Sequence, residues 1–211
     1  VTLVFDDGIK RLARVLDVEN RQFELVEKLA DNVELPIQVT IASGFPKGDK
    51  LEFITQKVTE LGASQIWSFP ADWSVAKWDG KKLGKKIEKL EKIALGAAEQ
   101  SKRNLVPSVT LFEKKSDFLA QLGQFDSIVV AYEESAKEGE AAALLQAVNG
   151  LEKGAKLLFI FGPEGGLSPA EIESFEAKGA VLAGLGPRIL RAETAPLYAL
   201  SALSVLLELE K

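Results

Sequence analysis

The segment Leu185-Gly186-Pro187-Arg188-Ile189-Leu190-Arg191-Ala192-Glu193-Thr194-Ala195 holds two arginines, a glutamate and a threonine where a packed domain has few reasons to be polar. Such a cluster between a strand pattern and a helix pattern suits a ligand or reaction site. A second segment, Phe161-Gly162-Pro163-Glu164-Gly165-Gly166-Leu167-Ser168, carries three glycines. Glycine lets a backbone approach a ligand closely and take positive φ, and free N–H groups at a helix start favour a carboxylate or phosphate. Each segment follows an apolar strand pattern and precedes a helix pattern, which is where ligands bind in an open α/β sheet. Structural alternatives stand beside these readings. The glycines also suit a plain turn, and Thr194 can cap the last helix while Glu193 complements its dipole and the arginines face solvent.

Several chemistries are excluded by composition and motif. The 211 residues contain no cysteine and no histidine, so thiolate catalysis, disulfides, a histidine base and Cys/His metal sites are absent. No dense Asp/Glu cluster has ligand spacing, so no metal is expected. The glycine segment lacks the Gly-Lys-Ser/Thr ending of a P-loop, and no Gly-x-Gly-x-x-Gly follows an early strand. No apolar run is long enough to cross a bilayer, and residues 1–7 lack the features of a signal peptide, so a cytoplasmic location is expected.

The elements that must position these segments are legible as periodicities. Residues 1–29 read as three short strands with tight turns, the first ending at Asp6-Asp7-Gly8. From residue 38 onward strands alternate with helices. Strands are expected at 38–42, 65–69, 110–112, 127–132, 156–161 and 180–183. Helices are expected at 49–61, 81–103, 116–122, 140–148, from Ser168-Pro169 onward, and at 194–210. That alternation predicts an α/β domain with a mostly parallel sheet. Ser168-Pro169-Ala170-Glu171 is a capping-box pattern, and Ser116 is read as the cap of its helix. The last helix is apolar around most of its circumference, so it either sits inside the domain or packs on a second subunit. Residues 1–35 and 36–211 form the two expected units. The chain has no methionine, even at position 1, and the expectation is that further strands precede Val1.

Charge is uneven. The chain has net charge −5, yet residues 77–103 carry nine Lys/Arg against four Asp/Glu, leaving −10 elsewhere. A basic face on an acidic protein suits a phosphate backbone, and a solvated lysine-rich helix explains it equally well. Lys77 and Lys85 are candidate phosphate contacts. Gln100, Ser101 and Arg103 add donors for a base edge or phosphate.

Together the two glycine-containing segments resemble the SPOUT superfamily of knotted methyltransferases. Gln100-Ser101-x-Arg103 and Lys47-Gly48-Asp49-Lys50…Gln56-Lys57-x-Thr59-Glu60-Leu61-Gly62 narrow the resemblance to the RsmE-type 16S ribosomal RNA (uracil-N3)-methyltransferases. The resemblance implies a C-terminal trefoil knot and a homodimer. It implies a truncated PUA-like RNA-binding barrel over residues 1–35, and a uridine of 16S rRNA as substrate, reached within the assembled small subunit. It also implies S-adenosylmethionine held by Gly162, Pro163, Glu164, Gly165, Gly166, Leu185, Gly186, Ile189, Leu190, Thr194 and Ala195. Arg191, Arg188 and Glu193 would handle charge at the target base. Trp73 stands where the resemblance leads one to expect an arginine. The competing readings are another SPOUT enzyme acting on transfer RNA or a ribose 2′-hydroxyl, a non-catalytic RNA-binding protein, and a metabolic α/β enzyme.

Overall fold

The protein is described from a computed structural model covering residues 1–132 and 142–209. Strands β1 (Thr2–Val4), β2 (Lys10–Asp17) and β3 (Gln22–Lys28) form an antiparallel sheet in that order. Gly8, at φ +68°, makes the turn between β1 and β2. Arg11 brackets that turn with two hydrogen bonds to Asp7, which hold the Asp7 carboxyl at about 2. Few side chains of this sheet are buried. Leu12, Val15, Phe23 and Leu25 are all exposed.

The second unit alternates strictly. Its elements are β4 (Gln38–Gly44), α1 (Lys50–Glu60), β5 (Gln65–Phe69), α2 (Gly80–Gln100), β6 (Ser108–Leu111), α3 (Lys115–Ala120), β7 (Ser127–Ala131) and α4 (Ala142–Val148). Then follow β8 (Lys156–Phe161), α5 (Pro169–Glu176), β9 (Val181–Ala183) and α6 (Ala195–Ser204), which a π-helical turn, Val205–Leu209, extends. The strand order is β6-β5-β4-β8-β7-β9, and each neighbouring pair is parallel. β4 and β8 lie at the centre and are buried beyond their first residues, as expected of parallel strands covered on both faces.

The period-2 alternation of the strands divides the core in two. Val39, Ile41, Phe159 and Phe161 pack with Leu51, Ile54, Leu90 and Leu200, so α1, α2 and α6 share one face. Leu158 and Ile160 pack with Phe69, Phe118 and Phe175, so α3 and α5 share the other. There Phe69 stacks on Phe118 at 4.1 Å, with the Phe175 ring edge-on to both. Helix α1 therefore leaves β4 toward one face while α5 leaves β8 toward the other. The crevice this opens lies at the carboxyl ends of the two central strands.

Some local expectations change. Ser116 is not a cap: the helix begins after Lys114, and the Ser116 hydroxyl donates to Asp117 at 3.3 Å. Thr194 occupies the N-cap position of α6 but has αR backbone angles and makes no side-chain cap bond. The N–H groups of Thr194 and Ala195 donate instead to the Arg191 carbonyl, at 2.8 and 3.0 Å. On α6, Pro196, Ala199, Leu200 and Leu203 are buried, whereas Tyr198 and, beyond the helix, Val205 and Leu209 are exposed. The apolar circumference thus splits between a core face and an outer face. Residues 140 and 141 of the expected fourth helix, and 210 of the last, lie outside the described residues.

Candidate active site

Three loops meet at the carboxyl edge of β4, β5 and β8. A Cβ on Gly44 would stand 2.6 Å from Pro163 Cδ and 3.0 Å from Ala71 Cβ, so only glycine lets these strand ends close up. Within the first glycine loop, a Cβ on Gly162 would meet Gly166 C at 2.8 Å, and Gly166 takes φ +80°. A Gly166 N–H to Pro163 carbonyl bond of 2.9 Å completes the turn.

The start of α5 is already satisfied by its own side chains, which corrects its reading as an open anion site. Ser168 accepts from the Glu171 N–H at 3.2 Å, and Glu171 accepts from the Ser168 N–H at 3.0 Å. Glu171 is 2% exposed and also accepts from the Asp72 N–H at 2.9 Å. Ser168 Oγ donates to Asp72 at 2.6 Å, and Lys115 ion-pairs with both Asp72 and Glu171. Those bonds from Lys115 and Ser168 hold the Asp72 carboxyl below its ordinary range. The loop after β5 is in this way fastened to the glycine loop.

A single lysine joins the two predicted cofactor loops. Lys50, first residue of α1, lies 3.0 Å from Glu164 Oε1 and 3.0 Å from Glu193 Oε2. The Lys47 N–H also donates to Glu164, at 3.1 Å. Burial pushes both carboxyls up, but contacts with Lys50 and with backbone N–H groups outweigh it and hold both below the ordinary glutamate value. The two carboxylates in turn raise the Lys50 ammonium. Glu193 Oε2 is buried and, among the described residues, has no donor aimed along a hydrogen bond; the ammonium reaches it only as an ion pair.

The second loop presents its other residues at the rim. Arg188, Arg191 and Thr194 are exposed, and Ile189 is 77% exposed. Leu185, Leu190 and Ala195 are half-buried. Gly186 turns the chain at φ +89°. Neither arginine forms an ion pair among the described residues.

The basic segment separates into an exposed part and a structural part. Lys77 and Lys85 are exposed, and Gln100 lines a groove of about 580 Å³ between α1 and α2, with Lys57 and Lys92. Trp78 packs on Phe45 at 4.3 Å and carries Lys86 over its ring at 4.4 Å. Ser101 spends its hydroxyl on the Ala97 carbonyl at 2.7 Å. Arg103 is 5% exposed, which overturns its reading as an RNA contact. Its guanidinium ion-pairs with Glu34 and donates to the carbonyls of Thr59 and Ala63 at 3.0 and 2.6 Å. Asn104 extends this fastening, donating to the Gly8 and Asp31 carbonyls and accepting from the Val33 N–H. The residues after α2 thus tie the N-terminal sheet to the α/β unit. The sequence does not single out Lys50, Asp72, Glu171 or Lys115 as site residues. Lys50 alone carries a signal, since it stands in the Lys47-Gly48-Asp49-Lys50 run that contributes to the resemblance.

A family model for an RNA methyltransferase domain matches residues 33–204. The ribosomal RNA small subunit methyltransferase E of Bacillus subtilis is 55% identical over 185 residues, which span 88% of this chain and 72% of its own length. The chain belongs to this RNA methyltransferase family. Two solved structures share the fold. A putative methyltransferase of Legionella pneumophila, in complex with bound S-adenosylmethionine, superposes with a TM-score of 0.81 at 28% identity, over 97% of this chain and 82% of its own. The ribosomal RNA small subunit methyltransferase E of Neisseria gonorrhoeae, also bound to S-adenosylmethionine, gives 0.81 at 27% identity, over 98% and 82%. For a member of this family, the convergence of two glycine-containing loops on Lys50 marks the place to look for a methyl donor.

Proposed function

We propose that this chain transfers a methyl group from S-adenosylmethionine to N3 of a uridine in small-subunit ribosomal RNA. The observation that carries the reading is the Lys50 ion pairs, which draw both glycine loops to one point at the centre of the parallel sheet. The residues fit the cofactor. Gly44 and Gly162 let the end of β4 and the first glycine loop close up where a Cβ would collide, and Gly165 stays exposed on that loop. The Glu164 and Glu193 carboxylates outnumber the Lys50 ammonium by one negative charge beside it, which suits a cationic ligand. Gly162–Gly166 would hold one side of it and Leu185, Gly186, Ile189, Leu190, Thr194 and Ala195 the other. Bound there, it supplies a methyl group on a positively charged sulfur, open to in-line displacement.

The chain's own residues do the rest. The loops set the line of attack, and positioning supplies much of the rate of such a displacement. Uracil N3 must lose its proton, which passes to solvent, and negative charge is left on the ring carbonyls. Arg191 and Arg188, exposed at the rim and without an ion pair among the described residues, stabilise that charge. Glu193 is a weak base while Lys50 holds its carboxyl down, so the arginines carry more of the task than a general base does. The exposed lysines of α2 hold the phosphate backbone, and the antiparallel sheet of residues 2–28 belongs to a PUA-like barrel that adds RNA contacts. The outer face of α6 and the turn beyond it, with Tyr198 and Val205, forms a homodimer contact, and the segment after β8 threads a trefoil knot. The substrate is the assembled small subunit, in the cytoplasm.

Mass mapping of 16S rRNA from a strain lacking the enzyme, before and after adding the protein back, tests this. A mass gain of one methyl on a uridine, in a nucleoside that alkali still releases, is expected. An alkali-resistant linkage would mean ribose methylation instead, and a methyl found only on transfer RNA would overturn the target.

A further inference from the structure

We propose that Trp73 is a stacking platform for an unpaired base of the RNA strand, set at the edge of the methyl-donor loop. The inference rests on the RNA methyltransferase reading above. Trp73 is 49% exposed although its neighbours hold it firmly. A Cβ on Gly165 would stand 3.0 Å from Trp73 Cβ and 3.3 Å from its carbonyl oxygen, and one on Gly166 would stand 3.8 Å from the far edge of the indole. Gly165 therefore makes room for the Cβ and carbonyl of Trp73, and the edge of the indole lies within ordinary contact of Gly166.

The mounting is rigid. The preceding residue, Asp72, is tied through its N–H to Glu171 and through its carboxylate to Ser168 and Lys115. The next residue, Ser74, closes a turn by donating its N–H to the Ala71 carbonyl at 2.9 Å. With the backbone on both sides of Trp73 held in this way, only the two side-chain torsions of the indole are left to order when a ligand covers it. Its surroundings select the ligand. The loop runs on to Lys77 and Trp78, whose ring already carries Lys86, and then into the lysine face of α2. An exposed ring between a glycine loop and a row of cations suits single-stranded nucleic acid, in which bases stack on aromatic faces while cations follow the phosphates. A base stacked there would leave a neighbouring base beside the glycine loop.

The test compares wild type, Trp73→Phe and Trp73→Ala for methylation of undermethylated small subunits and for S-adenosylmethionine binding by calorimetry. Loss of one stacking contact predicts a rise of about tenfold or more in KM for the subunit in Trp73→Ala. Trp73→Phe should recover most of it, with the cofactor Kd within about twofold of wild type in both. Quenching of tryptophan fluorescence by a short oligouridylate should also fall in Trp73→Phe. An unchanged KM in Trp73→Ala, with wild type active, overturns the platform. A cofactor Kd that weakens as much as KM rises overturns it too, by making Trp73 a cover on the donor loop. Failure of wild type to methylate any subunit would instead strike the function proposed above.

Discussion

Lys50 Nζ stands 3.0 Å from Glu193 Oε2 while the same ammonium stands 3.0 Å from Glu164 Oε1, so two loops that close different strands share one cation. Removing that cation leaves two carboxylates repelling each other across the crevice, at side-chain exposures of only 25% and 18%. Lys50→Met is expected to weaken S-adenosylmethionine binding by about tenfold or more, as expected for splitting a partly buried charge cluster. Lys50→Arg should retain most of the affinity. Calorimetry on the three proteins checks this, and equal affinities would remove Lys50 from the site.

The same cluster sets a pH window. Glu164 and Glu193 are depressed, so their contribution to the clasp is complete above the ordinary glutamate value of 4.5 and is lost as pH falls through their folded values. Lys50 is raised, so its contribution is complete below 10.5 and is lost only above that. Cofactor affinity should then be flat across the neutral range and collapse only in acid. An inflection between about pH 6 and 7 that disappears in Glu193→Gln would mean that Glu193 titrates there as a general base, against its depressed value.

Arg103 and Glu34 make a stability prediction. Arg103 is buried, and the Glu34 carboxylate also accepts the N–H groups of Asn104 and Leu105 at 2.8 and 3.1 Å. Removing one partner of a buried pair strands the other charge at a cost of about 3–5 kcal/mol. Glu34→Gln should therefore lower unfolding free energy by up to that amount in a urea titration. The remaining folded protein should bind RNA as wild type does, because Arg103 does not face the RNA. A variant of wild-type stability with weakened RNA binding would restore Arg103 as a contact.

The pair also shows where sequence reading stops. The α/β alternation, the bounds of β5 and β8 and the capping box at Ser168 are local patterns, and each stands in the structure as read. Arg103 reads as a nucleic-acid contact because it ends a lysine-rich helix. Its partner Glu34 is 69 residues away, and nothing in a periodicity announces a pairing over that distance. Lys50 escapes for the same reason, since its role exists only once two remote loops fold onto it. The Thr194 cap fails locally: the Arg191 carbonyl takes the N–H groups and leaves the threonine side chain unused.

Glycines at different places should respond oppositely to a methyl group. Gly44→Ala pushes a Cβ to 2.6 Å from Pro163 and must displace the donor loop, an overpacking cost of about 1–3 kcal/mol. Gly84, inside α2, has open space within 4 Å of where a Cβ would stand, so Gly84→Ala should stabilise by about 0.5–1 kcal/mol through helix propensity. Thermal melts with and without S-adenosylmethionine separate the two effects. Gly44→Ala should also lose much of the cofactor-induced rise in Tm, and Gly84→Ala should keep it.

Arg191 tests the chemistry itself. Its side chain is exposed and forms no ion pair among the described residues, whereas its carbonyl organises the start of α6 by accepting from Thr194 and Ala195. A side-chain substitution leaves those backbone bonds in place, so the loop should keep its shape. Arg191→Ala is then expected to lower kcat by about 10²–10³, the range for losing one preorganised donor to developing charge. Its S-adenosylmethionine Kd should change little, and Arg191→Lys, which keeps the charge but not the planar fork, should recover only part of the rate. Single-turnover methylation with cofactor saturating reads the chemical step directly. Full activity in Arg191→Ala would shift the role to Arg188, and a matching loss of cofactor affinity would make Arg191 a binding residue.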